Sequence, residues 1–94
     1  MYFLIIEAIP EPNSDAAKEY GGSHVACWIN TADLDDAKGR ATTLVSSFGW
    51  IVQKVIEEKE VSEEDYSADD AALEYFEQAF TDNEVCVFYT FPKN

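Results

Sequence analysis

His24 is the only histidine in the chain, and Cys27 and Cys86 are the only cysteines, so nucleophilic or metal chemistry would have to start from these three residues. His24 and Cys27 sit in one apolar run, Gly21-Gly22-Ser23-His24-Val25-Ala26-Cys27-Trp28-Ile29-Asn30. On a strand, side chains alternate between faces, so residues three apart point to opposite sides. The thiol and the imidazole therefore diverge, which argues against a Cys–His nucleophile pair. A mononuclear metal site wants three or four ligands, and there is no second histidine to supply one. No metal and no cofactor is expected. Cys86 lies between Val85 and Val87. Both thiols read as buried, reduced and inert, the usual state of cysteines in a cytoplasmic protein. A disulfide between them would need Cα atoms roughly 5.5–6 Å apart.

Glu7 is the one carboxylate set inside an apolar strand, where desolvation would favour a general acid. The same position also suits an edge charge that blocks strand addition. The other acids cluster as Asp33/Asp35/Asp36, Glu57/Glu58/Glu60, Glu63/Glu64/Asp65 and Asp69/Asp70. They read as solvated helix starts and loop surface. None matches the twelve-residue calcium loop with its central glycine. Gly21-Gly22 reads as a turn, not as a phosphate cradle.

These residues must be positioned by a small set of elements. Tyr2 to Ile9 reads as a buried strand ended by Pro10, and Glu11 to Ser23 as a loop with room for a helical turn over Asp15 to Tyr20. His24 to Asn30 is a second strand. Leu34, Ala37, Ala41, Leu44, Val45 and Phe48 recur at helical steps, with Thr31 or Asp33 as cap and Gly49 just beyond the end. Trp50 to Ile56 is a third strand, which either runs straight on through Val61 or turns back at Glu57-Glu58-Lys59. Ser67 opens a second helix with Ala68, Ala72, Tyr75, Phe76, Ala79 and Phe80 on its apolar stripe. Val85 to Phe91 is the last strand. Each helix that follows a strand is expected to return the chain by a right-handed crossover. The expected fold is one α+β domain over residues 1–94, a two-layer sandwich. It is ferredoxin-like, with a mixed sheet of four to five strands and both helices on one face.

The charge is uneven. The formal net charge is −13, and twelve of the nineteen acids fall between Glu57 and Glu84 with Lys59 as the single base there. The remaining seven acids and five bases nearly balance. Acidity on this scale disfavours nucleic acid and anionic lipid as partners, since both require Lys and Arg. An apolar fraction of 47% argues against disorder. Met1 to Glu7 is too short and too acidic for a signal peptide or a membrane span.

Several strands look apolar on both sides. Tyr2, Leu4, Ile6 and Ala8 alternate with Phe3, Ile5 and Ile9, and Val85, Val87, Tyr89 and Phe91 alternate with Cys86 and Phe88. Two helices on one face would leave the other uncovered. A homodimer through the sheet face, or a shallow cleft there, would resolve this. Trp28, His24, Glu7 and Tyr89 are the candidate interface or cleft residues, with Trp28 as the anchor.

Gly21 to Asn30, Gly49-Trp50-Ile51-Val52 and Glu63-Glu64-Asp65-Tyr66 together resemble a group of small acidic bacterial proteins of unassigned function. That likeness implies a bacterial cytoplasmic source and a compact α/β domain, and it transfers no site residue. Three functions follow, in order of expectation. The first is a dimeric protein-interaction or regulatory module. The second is an acidic mimic of nucleic acid that occupies a basic partner. The third is a small enzyme or ligand binder with a sheet-face cleft.

Overall fold

The computed structural model describes residues 1–93. In chain order these form β1 (Tyr2–Pro10), α1 (Asp15–Glu19), β2 (Tyr20–Ile29), α2 (Leu34–Ser47) and β3 (Trp50–Glu60). A 3-10 turn (Glu63–Asp65), α3 (Ala71–Asp82) and β4 (Glu84–Pro92) complete the order. The sheet order is β3-β1-β2-β4. Every neighbouring pair is antiparallel. The α+β class and a four-stranded sheet packed against helices are as expected; the mixed sheet is not.

Local chemistry explains most element boundaries. Asp33 caps α2, its carboxylate accepting from the backbone N–H of Asp35 at 2.9 Å and Asp36 at 3.3 Å. Ala37, Ala41 and Val45 form the buried stripe of α2, and Gly49 follows the helix with φ +83°, a backbone conformation that favours glycine. α3 begins later than Ser67. Asp70 is its cap, accepting from the Ala72 N–H at 2.9 Å, and Asn83 ends it in the left-handed conformation. β3 continues through Glu57–Lys59 without a turn, so there is no hairpin there and no fifth strand among the described residues. Gly21-Gly22 is not a turn either. β2 starts at Tyr20 and carries both glycines within it.

The two long helices lie on opposite faces, and this corrects the one-face, ferredoxin-like expectation. Leu4, Ile6, Ala8, Val25, Cys27 and Ile29 pack with Ala37, Ala41 and Val45 of α2. Ala26, Trp28 and Val85 pack with Val61 and with Phe76 and Ala79 of α3. Adjacent strand residues alternate sides, so these are two separate faces. The topology gives the reason. β2 and β3 are both antiparallel to β1 and hence parallel to each other, so α2 is a crossover that skips one strand. β3 and β4 stand at opposite edges and run antiparallel, so α3 closes no parallel unit. It crosses beneath the sheet, where the apolar side chains of Phe3, Trp28 and Val85 need a cover.

Candidate functional site: the open half of the second sheet face

α3 and the segment before it roof only one end of the second face. There Trp28 is 3% exposed. Its Nε1–H donates to the Tyr66 hydroxyl at 2.9 Å. Its ring stacks on Tyr75 at 5.4 Å and tilts against Phe3 at 4.9 Å. Burial raises the Tyr66 phenol above its ordinary value, and the bond from Trp28 opposes that rise. Trp28 is thus a core residue of this cluster, not an anchor that reaches out of the surface.

The other half of the face is open. The strand registers align Lys54, Glu7, His24 and Tyr89 as one row across β3, β1, β2 and β4. Lys54 Nζ lies 3.8 Å from Glu7 Oε2. Ile51 and Ile9 continue the face beyond this row, with Phe91 on β4. The Phe91 ring lies over Gly22, where an added Cβ would come within 2.7 Å of it, and its edge meets His24 at 5.7 Å. Only glycine lets the ring sit this close to β2. Tyr89 is 58% exposed and Phe91 42%.

Between the roofed and open halves is a cleft of about 400 Å³ lined by Phe3, Ile5, His24, Ala26, Trp28, Ala72 and Tyr89. The structure therefore brings together three of the four candidate residues, His24, Trp28 and Tyr89. Glu7 faces His24 in register but does not line the cleft. β1 is an inner strand, so Glu7 is not an edge guard. It is also not isolated in apolar surroundings, because Lys54 pairs with it and it is part-exposed. Sequence reasoning missed Ala72 because it put the second helix on the wrong face. Ile5 was visible only as one apolar residue among many.

Both thiols are on the opposite face, where Cys27 stands directly across from Cys86 and both are free. Burial, reinforced by Cys86 and Glu84, pushes the Cys27 thiol up to about 12. Burial also raises Cys86. A thiol that stays protonated is a poor nucleophile. Among the described residues no three His, Cys, Asp or Glu side chains are placed to hold a metal ion.

Several acids of the Glu57–Glu84 stretch have internal partners. Glu58 pairs with Lys38 at 2.8 Å and Glu84 with Arg40 at 3.1 Å. Asp65 accepts from the Ser62 N–H at 2.7 Å, and Asp70 caps α3. The second face carries a different balance. By register its strand residues include two acids, Glu7 and Glu57, and two lysines, Lys54 and Lys59. No helix among the described residues is long and apolar enough to cross a membrane. No family model, curated protein or solved structure matches the chain.

Proposed function

We propose that the protein is a cytoplasmic, homodimerising interaction module. Its contact surface is β4 together with the part of the open half of the second face that adjoins it. The observation that carries this reading is that β4 has no charged residue from Val85 to Pro92 on a chain with a net charge of −13. Two copies of one acidic chain repel wherever their acids meet. They approach with least repulsion along such an uncharged strand, beside its exposed apolar side chains. Exposed Tyr89 and Phe91 supply these side chains.

The test is mass in solution. Light scattering over a range of concentrations should give a dimer, and the dimer should tighten as salt rises, because salt screens the remaining repulsion. A monomer mass at the highest soluble concentration overturns the reading. The acidic-mimic reading predicts the opposite trend, a partner complex that weakens steeply with salt. It is less well supported, since several of its carboxylates already have internal partners.

A second reading is favoured by the concavity beside His24. The cleft is large enough for a small apolar molecule, and its few polar groups would orient one. Trp28 reports on it: such a ligand would change the emission of this buried indole. Unchanged fluorescence across a panel of aromatic and aliphatic probes removes this second reading.

A further inference from the structure

The two edges of the sheet are unlike. β3 carries Lys54, Glu57, Glu58, Lys59 and Glu60, and its pairing with β1 shifts register twice. Charges and bulges are the usual means by which edge strands avoid pairing with other chains. β4 has neither protection along most of its length. It has no charged residue from Val85 to Pro92, and its register with β2 runs unbroken from Gly22 to Ile29. It pairs with β2 alone, and among the described residues no backbone hydrogen bond reaches residues 85–92 from outside that pair.

A strand added to this edge would place alternate side chains on both faces of the sheet. On the first face it meets Phe88 and, beside it, the ring of Phe48, which is 60% exposed and 5.6 Å from Phe88. On the second face it meets Tyr89 and Phe91. The occupant must therefore be uncharged and apolar on both sides. β4 itself meets that description, with Cys86 and Phe88 on one side and Val85, Val87, Tyr89 and Phe91 on the other. The same edge on a second copy is self-complementary, as a two-fold interface requires.

We infer that two copies join antiparallel through the outer edges of β4, making one continuous sheet with four strands from each copy. This rests on the dimer proposed above and names its geometry. The two-fold axis stands perpendicular to the sheet, so both open half-faces fall on the same side. Tyr89 of each copy then lies near the seam, and the two clefts adjoin as one longer apolar trough.

Two charge insertions separate this arrangement from a dimer stacked face to face. Thr90 is exposed on β4 and lies on the first face, opposite Ser23, whereas Ile51 is on the second face of the far edge strand. Thr90→Lys should weaken the dimer at least about tenfold by sedimentation equilibrium, while Ile51→Lys should change it by no more than about twofold. On the unaltered protein, hydrogen exchange at alternate β4 amides should slow as concentration rises. Should Ile51→Lys abolish the dimer, with Thr90→Lys harmless and the β4 amides exchanging independently of concentration, edge pairing is overturned while the dimer stands. A monomer at every concentration overturns both.

Discussion

The two halves of the second sheet face are built by the same four strands, yet one is core and the other is surface. In the roofed half Trp28 and Phe76 are 3% and 1% exposed, and the indole N–H has a partner in Tyr66. In the open half Tyr89 and Phe91 stand out of a charge-balanced row. Length explains the split. α3 has twelve residues and so extends about 18 Å at 1.5 Å per residue. The eleven residues of β3 extend roughly 36 Å. A helix of that length covers only part of such a face at any crossing angle. Hydrophobicity in the strands thus states how much surface is apolar; the helix decides which part becomes interior.

The sharpest test of the split is deletion. Phe76→Ala should lower stability by about 3–5 kcal/mol, the range for truncating a buried aromatic. Tyr89→Ala should lower it by less than about 1 kcal/mol, as is usual at exposed positions. Urea unfolding of both variants measures the difference, and equal losses would erase the distinction between the halves. Tyr66→Phe comes next. It leaves the Trp28 N–H without a partner, for an expected loss of about 1–3 kcal/mol by the same measurement. Asp70→Ala removes the cap that starts the roof and should lower stability by about 1 kcal/mol. Lys54→Met, which breaks an exposed pair in the open half, should change it by less than about 1 kcal/mol.

The first face offers a test by pH. The Cys27 thiol is raised from 9.0 to about 12, chiefly by burial. Above pH 9 the unfolded chain releases this proton while the native state holds it. The native state then binds more protons, so stability must fall as pH rises from 9 toward 12. Cys27→Val should flatten this alkaline decline in thermal melts. Ellman's reagent should react slowly with Cys27 in native protein and fast after unfolding; rapid native reaction would contradict the buried placement.

Much of this was legible in the sequence, for identifiable reasons. The apolar stripe of α2 and its Asp33 cap follow local rules that tertiary context did not override. Trp28, His24 and Tyr89 are three of the four candidate interface or cleft residues on strands that read as apolar on both sides, and the cleft gathers all three. The side taken by α3 was not recovered, although Phe3, Trp28 and Val85 share one strand parity that asks for a cover. Local periodicity shows that a face is apolar but not which helix will reach it. Glu7 was misplaced for the same reason: whether β1 is inner or edge depends on strand order, which no local pattern encodes. Gly21-Gly22 misled because a glycine pair signals a turn unless a neighbouring ring needs the space.

That ring gives the molecule an adjustable part. Phe91 occupies the room a methyl group would take on Gly22, so Gly22→Ala must lift the aromatic away from the backbone and from the imidazole it touches. The substitution adds no charge and leaves the roofed core alone. It acts as a wedge, resetting the height of one rim of the contact surface from beneath.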